Sequence, residues 1–233
     1  MNNNILKDFD KNISLYNTRG LKDLKAQNAY NIIKDINTDI IDFALKDLKR
    51  YDKSTYNHSI SVAILTALMA QNLDLKKCDA EELILSAMIH DIGKVKLPLS
   101  LINYNGKYNK EQKKIVMQHP EYGKEYFNCS KIPDSILSVI LQHHECCNGT
   151  GYPYGLFHND IHMYSKIVSI CDIFEAYTAK RSYHYERSFA EGIEYLNLLK
   201  IKGKLDEKYT ELFIGIIMKN IEERYKEINQ IAK

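Results

Sequence analysis

The amino-acid sequence predicts an all-α protein. Apolar residues recur at the spacing of an α-helix along most of the 233 residues, while the alternating segments typical of strands are hard to find. Residues 146–160 (CCNGTGYPYGLFHND) hold three of the ten glycines, an Asn-Gly pair and a proline, which predicts a long loop between helices. A chain of this length buries enough surface on folding to need no disulfide framework.

The N-terminal residues 1–45 are polar and helix-compatible, but they are too short to form an independent sensory domain. We interpret them as a helical N-terminal extension, followed by one main domain at 46–233. Within that domain His58, Val62 and Met69 fall on one face of a predicted helix. His58 is therefore expected to lie on the face that packs against the core.

The next helix is predicted to begin at Asp79, because Glu82 follows three residues later as a capping partner. It is predicted to end before Gly93 and to carry His90 and Asp91 on its inner side. The apolar face of this helix therefore ends in a polar pair.

A further helix is predicted to begin at Asn109, with Gln112 in the capping position. It is predicted to run to His119, because Pro120 disfavours helical geometry for the residue before it. His119 is therefore expected at the end of a helix.

The remaining helices follow from apolar periodicity. One is predicted to end at His143 and His144, and another, resuming near Tyr164, contains Asp172. Two amphipathic helices are predicted to fill residues 189–231.

Composition limits the classes of partner. The 32 basic and 30 acidic residues leave a formal net charge of +2, so no long nucleic acid is expected as a ligand. Five cysteines without regular spacing indicate reduced thiols.

We expect a cytoplasmic protein without membrane segments, because the N-terminus lacks a secretory signal and the apolar runs are short. The oligomeric state is not indicated.

Histidines and aspartates carry the functional signal. Each histidine alone is better explained as a hydrogen-bonded core residue. As a set, however, buried imidazoles without partners would cost about 1 to 3 kcal/mol each, and imidazole and carboxylate groups are ligands for transition metals. The candidate ligands are His58, His90, Asp91, His119, His143, His144 and Asp172.

These residues resemble, in order and rough spacing, the motifs of the HD-GYP phosphodiesterases within the HD hydrolase superfamily. The matching segments are YNHSISVA, the stretch His90-Asp91-Ile92-Gly93-Lys94, His119-Pro120, HHE at 143–145, Gly151-Tyr152-Pro153 and SICDIFEAYTAKR. The resemblance covers residues from about 45 to 220 and implies an HD-domain helical bundle.

The resemblance also implies a centre of two divalent transition-metal ions, with iron or manganese favoured over zinc. One ion would be held by His58, His90, Asp91 and Asp172, and the other by His119, His143 and His144, with Asp91 as the bridge. Two such cations acidify water and neutralise phosphate charge.

Substrate and partner follow from the same resemblance. It implies hydrolysis of cyclic di-GMP to pGpG, and in some relatives to GMP, with Asp91 and Lys94 as catalytic residues. Lys94, Arg181, Gly151 and Tyr152 are the expected substrate-binding residues. The loop at 146–160 contains the triplet Gly151-Tyr152-Pro153 and is called the GYP loop. It is also the expected contact for a diguanylate-cyclase-type protein, although Gly151 and Pro153 would equally build a tight turn.

Several positions depart from the family pattern. Ser54 stands where some relatives have a glutamate that binds a third metal, which favours two metals here. Glu175, Ser182 and His184 replace the more usual residues and leave substrate preference open. Cys146 and its neighbour Cys147 are assigned no role.

Other readings of the sequence stay open. The domain would act as a catalytically silent cyclic-dinucleotide sensor or partner-binding module if it did not turn the ligand over. A different cyclic dinucleotide is another alternative, because the residues that read the bases are not legible in the sequence. A nucleotide phosphohydrolase or a di-iron oxygenase is disfavoured by the GYP segment.

Overall fold

The all-α prediction is confirmed by a computed structural model, which describes residues 3–19, 39–179 and 187–231. These residues contain no strand, only an isolated bridge between Asn148 and Phe157. In chain order the α-helices are α1 (Asn3–Arg19), α2 (Asp39–Tyr51), α3 (Lys53–Ala70), α4 (Lys77–Ile89), α5 (Leu99–Ile102), α6 (Lys110–Val116), α7 (His119–Tyr126), α8 (Asp134–Gln142), α9 (Met163–Thr178), α10 (Phe189–Ile201) and α11 (Glu207–Ile231). Two short 3-10 helices span Ile92–Lys96 and His158–Asp160.

Helix α3 forms the centre of the bundle. It begins after Asp52, whose carboxylate accepts a hydrogen bond from the Thr55 backbone at 2.7 Å, and such a cap satisfies a free N–H group at a helix start. From Ser59 to Ala70 every residue of the helix is buried, because α1, α2, α4 and α9 pack around it. The helix that carries His58 is therefore held in place by the four helices packed against it.

Helix α1 packs into the same core as the rest of the molecule. Ile5, Phe9 and Tyr16 are buried on one side of the helix. The Asp8 carboxylate accepts a hydrogen bond from the Tyr56 hydroxyl of α3 at 2.8 Å. Thus α1 contacts the helix that carries His58 directly, while residues 20–38, which complete the N-terminal segment, lie outside the described residues.

The predicted start of α4 is wrong. The helix begins at Lys77, two residues before Asp79, and its N-cap Lys76 makes no side-chain capping bond. Asp79 lies in the first turn, where a negative charge is stabilised by the helix dipole. Glu82 is not a capping partner, since its carboxylate accepts a hydrogen bond from the Ser135 hydroxyl at 2.5 Å.

The predicted capping box at Asn109 and Gln112 is confirmed, but the predicted helix end is wrong. Helix α6 ends at Val116, and His119 is the first residue of α7 rather than the last of α6. Pro120 fits the first turn of α7 because the N–H group that proline lacks has no helical partner there.

The later helices agree with prediction. Helix α8 ends at Gln142, with His143 as its C-cap, and α9 resumes at Met163 and contains Asp172. Helices α10 and α11 fill most of the C-terminal segment. Among the helices that the structure describes, none combines the length and the apolar character that crossing a bilayer requires.

Candidate metal centre

Helix ends bring most of the candidate ligands together. His90 is the C-cap of α4, and Asp91 lies just beyond it, before the 3-10 helix, rather than within the helix as the sequence predicted. The 3-10 helix packs closely on α7 at Gly93: a Cβ atom there would lie 1.9 Å from the His119 carbonyl oxygen and 2.4 Å from the Gly123 nitrogen. Glycine is therefore needed for this approach of backbones.

Backbone carbonyl groups orient three of the imidazole rings. The Nδ1 atom of each ring lies near the carbonyl oxygen of a residue one helical turn earlier: His90 near Ala87 (2.8 Å), His119 near Val116 (2.8 Å) and His143 near Val139 (3.0 Å). Because a carbonyl oxygen only accepts, Nδ1 must donate, and Nε2 of the neutral ring keeps a lone pair. Hydrogen bonds of this kind orient histidines that bind metals.

Asp91 lies between two groups of histidines. Its Oδ2 atom is 3.4 Å from His90 Nε2 and 3.8 Å from His58 Nε2. Its Oδ1 atom is 3.4 Å from His119 Nε2 and 3.8 Å from His143 Nε2. Each carboxylate oxygen thus faces one group, which is the arrangement that a carboxylate needs to bridge two cations.

The potential ligand atoms form two compact clusters. Within each cluster all ligand atoms lie within 4.8 Å of one another. One contains His58, His90 and Asp91; the other contains Asp91, His119, His143 and His144. No cysteine belongs to either cluster among the described residues.

Asp172 and Glu175 extend the first cluster from one face of α9. Asp172 Oδ1 lies 2.9 Å from His58 Nε2, and Glu175 Oε2 lies 2.5 Å from Nδ1 of the same ring. Burial lowers the pKa of His58, but the two carboxylates outweigh burial and raise it to about 9. Glu175 thus orients His58, a role that sequence reasoning missed although its spacing from Asp172 places it one turn away on the same face.

Two of the potential ligand atoms in the described part of the chain are buried without a hydrogen-bond partner. Within the described residues, His90 Nε2 and Asp91 Oδ1 make no hydrogen bond. His119 Nε2 and His143 Nε2 lie 3.2 Å apart, and both carry lone pairs when Nδ1 holds the proton. Two buried nitrogen lone pairs that face each other without a hydrogen bond are costly unless both bind a cation. The donor set therefore fits transition-metal ions.

The three histidines of the second cluster have lowered pKa values. Burial lowers the pKa of His119 to about 3 and that of His144 to about 4, and it lowers the pKa of His143 as well. Because metals bind the unprotonated imidazole, these rings need to lose no proton near neutral pH.

Lys94 lies beside the shared carboxylate. Its Nζ atom is 2.5 Å from Asp91 Oδ2, and the side chain is 22% exposed. Burial raises the pKa of Asp91, but the positive charge of Lys94 and the neighbouring histidines outweigh it and hold the pKa well below its usual range. Lys94 thus combines a fixed charge with access to solvent.

The GYP loop touches the second cluster through Tyr152. The Tyr152 ring stacks on His144, with centroids 4.7 Å apart and planes at 24°, and its edge-on distance to His119 is 6.4 Å. Gly151 leaves no room for a side chain, since a Cβ atom would lie 2.3 Å from the Cys146 nitrogen. The loop is therefore both a tight turn and a wall of the site.

The other positions named from the sequence are Arg181, Ser182, His184 and Ser54. Arg181, Ser182 and His184 lie outside the described residues. Ser54 is exposed one turn before His58, and it belongs to neither cluster among the residues that the structure describes.

Comparison with known proteins agrees with this fold. The family model for the HD domain matches residues 35–208, and the chain belongs to the HD domain family. The resemblance predicted from the sequence is thus confirmed.

The chain is similar in sequence to proteins named as cyclic-dinucleotide phosphodiesterases. Cyclic di-GMP phosphodiesterase PA4108 of Pseudomonas aeruginosa is 31% identical over 175 residues, which cover 75% of this chain and 42% of the relative. The 3'3'-cGAMP-specific phosphodiesterase 2 of Vibrio cholerae is 34% identical over 133 residues, covering 56% of this chain and 26% of the relative. The chain therefore spans less than half the length of these relatives.

Solved structures share the fold. An HDG"Y"P protein from Bdellovibrio bacteriovorus has a TM-score of 0.63 at 20% identity, covering 92% of this chain and 69% of that one. The HD domain of the phosphodiesterase PgpH from L. monocytogenes has a TM-score of 0.59 at 19% identity, covering 78% and 98%. At such identities the likeness supports the fold alone.

Proposed function

We propose that this chain is a metal-dependent phosphodiesterase that opens cyclic di-GMP to linear pGpG, with GMP as the alternative end product. The observation that carries the proposal is the position of Asp91, whose two oxygens face different histidine groups. Relatives named as cyclic di-GMP phosphodiesterases support the choice of substrate.

The proposed metal ligands divide into two sets. His58, His90, Asp91 and Asp172 would hold one ion, while His119, His143 and His144 would hold the other and share Asp91. Nitrogen and oxygen donors of this kind suit iron, manganese and zinc, and we propose iron or manganese first.

Residues of this chain would bind and orient the substrate around these ions. The bound cations supply charge neutralisation at the phosphate and a more acidic water. Lys94, held against Asp91 and partly exposed, would add a positive charge beside the non-bridging oxygens. Tyr152 and Gly151 would form one wall, and Arg181 is proposed as a second phosphate contact.

The test is a product assay. Protein purified without oxygen and loaded with Mn²⁺ or Fe²⁺ is incubated with cyclic di-GMP, and the products are separated by chromatography. We expect pGpG from the wild type and none from Asp91→Ala. A metal-loaded wild type that binds the dinucleotide without cleaving it would instead identify a silent sensor.

A second candidate substrate is 3'3'-cGAMP, because three relatives from Vibrio cholerae at 28 to 34% identity carry that specificity in their names. The same assay with both dinucleotides in competition distinguishes the two. A higher kcat/KM for 3'3'-cGAMP would replace cyclic di-GMP as the substrate.

We also propose that the GYP loop contacts a diguanylate-cyclase-type protein. The support is the exposure of Phe157 and Tyr154 at its outer side. We expect Phe157→Ser to lose binding to such a protein and to keep cleavage of the dinucleotide. Binding equal to that of the wild type would contradict the proposal.

A further inference from the structure

We propose that Glu145 is a positioning residue, which holds residues 151–156 so that the Tyr152 ring lies on the histidine cluster. The expected effect on KM rests on the proposed function, whereas the expected effect on the loop structure does not. Glu145 directly follows His144 in the chain and belongs to neither ligand cluster among the described residues.

Glu145 binds the loop through both carboxylate oxygens. The side chain is only 4% exposed. Oε1 accepts hydrogen bonds from the backbone nitrogens of Tyr154 (2.7 Å) and Gly155 (3.2 Å), and Oε2 accepts one from Leu156 (3.0 Å). Three N–H groups thus replace the water that a buried carboxylate loses, and bonds to a charged acceptor are stronger than those to a neutral one.

The same part of the chain holds the aromatic ring. The Tyr152 nitrogen donates to the His144 carbonyl oxygen at 3.2 Å, and the Tyr152 ring stacks on the His144 imidazole. Gly151 lies directly on the Glu145 backbone, where a Cβ atom would be 2.4 Å from Cα. Only Pro153 separates Tyr152 from the first of the three bound N–H groups. Loss of the Glu145 bonds therefore removes one of two restraints on the ring and leaves the bond from the Tyr152 nitrogen to His144 as the other.

The base of the loop is held separately. The His158 nitrogen donates to the Cys147 carbonyl oxygen at 3.0 Å, and the Cys147 nitrogen donates to the Lys204 carbonyl oxygen at 2.9 Å. Neither contact involves the Glu145 side chain. Loss of that carboxylate is therefore expected to loosen residues 151–156 without detaching the loop from the bundle.

This separation predicts a specific kinetic effect. Tyr152 forms part of the wall beside His144, so a loosened loop weakens substrate binding while the ligand atoms of the centre stay in place. We expect Glu145→Ala to raise KM for cyclic di-GMP at least about tenfold, since a hydrogen bond to a charged group is worth about one such factor. The change in kcat is expected to be smaller.

The experiment compares Glu145→Ala and Glu145→Gln with a control, Glu211→Gln. Glu211 is a surface residue of α11 that pairs with Lys200. Amide hydrogen exchange is followed by mass spectrometry, together with metal content, melting temperature and the separate values of kcat and KM.

In Glu145→Ala, the amides of 154–156 are expected to exchange at least about tenfold faster than in the wild type, with metal content and helix protection unchanged. Glu145→Gln is expected to be intermediate, because its one carbonyl oxygen replaces Oε1 while its NH₂ group faces another donor at Leu156. The control is expected to match the wild type in every measurement.

Unchanged exchange at 154–156 in Glu145→Ala would overturn the proposal. Faster exchange throughout the helices, with loss of metal, would also overturn it, since Glu145 would then act only in folding. If the wild type does not cleave cyclic di-GMP, the proposed function fails, and exchange at 154–156 alone decides the positioning role.

Discussion

Single atoms decide what the site can bind. The Nδ1 atoms of His90, His119 and His143 face backbone carbonyls, so their Nε2 lone pairs point to the centre. Asp91 is the residue on which both histidine groups depend, because each of its oxygens faces one of them.

Replacing Asp91 by alanine is therefore expected to reduce metal content and activity together. The change removes a ligand from both clusters and leaves the donors without their shared anion. We expect metal affinity to fall by more than about 100-fold, beyond the effect of losing an outer partner. Elemental analysis and the product assay measure both quantities, and an unchanged metal content and rate would refute the role of Asp91.

Lys94→Ala is expected to keep the metal and slow the reaction. Lys94 contacts Asp91 but offers no lone pair to a cation while it is protonated, so it contributes charge beside the substrate rather than a ligand. We expect kcat to fall by about 100- to 1000-fold, as for loss of one stabilising donor. The control is Lys96→Ala, which removes a surface pair with Glu125; equal rates in the two variants would contradict the assignment.

At this scale the sequence predicts residue types better than contacts. His58 and Asp172 could be selected from motif and periodicity. The spacing of Glu175 from Asp172 places it on the same face of α9, but it does not reveal the hydrogen bond to His58, which lies 117 positions away. The role of Glu145 as a positioning residue could not be predicted either, since its hydrogen-bond partners are backbone N–H groups of a loop.

Helix ends, rather than helix faces, assemble the site. His90 follows α4, His119 opens α7 and His143 follows α8. The close approach of the 3-10 helix to α7 at Gly93 fixes the first two of these relative to each other.

Gly93→Ala is expected to disturb this contact and, with it, the centre. A methyl group would meet the His119 carbonyl carbon and oxygen, so we expect a loss of about 1 to 3 kcal/mol in unfolding free energy, together with weaker metal binding. Gly215→Ala is the control: nothing lies within 4 Å of its Cβ position in α11, and a gain of about 0.4 to 1 kcal/mol is expected there. Urea denaturation tests both; equal effects would contradict the packing argument.

Helix α1 is expected to contribute to the stability of the whole bundle. Phe9 is 1% exposed in the core, whereas Phe43 on α2 is 60% exposed. Phe9→Ala is expected to cost about 3 to 5 kcal/mol of unfolding free energy. The matched variant Phe43→Ala is expected to change it by less than about 0.5 kcal/mol. Similar values for the two variants would show that α1 is not part of the cooperative core.

Element boundaries show where local patterns stop being informative. The capping box at Asn109 was predictable because both of its partners are local. The start of α4 was not, because no side chain caps it and Asp79 satisfies the helix dipole from within the first turn. Proline disfavours helical geometry for the residue before it but also suits the first turn of a new helix, so Pro120 alone does not place this boundary.

At the scale of the whole molecule, a helical bundle surrounds one buried helix, α3, which carries His58 of the first cluster. Helical periodicity was sufficient to predict the class, since the described residues contain no strand. The packing of α1 onto this bundle was not predictable, because its few buried residues are separated by polar ones.

The central claim is that Asp91 joins two metal ions, and the most direct measurement is the number of transition-metal ions bound per chain. Protein purified without oxygen and analysed for elements is predicted to hold two ions per chain, of iron or manganese. A wild-type protein that is fully active on cyclic di-GMP with no bound transition metal would contradict the claim.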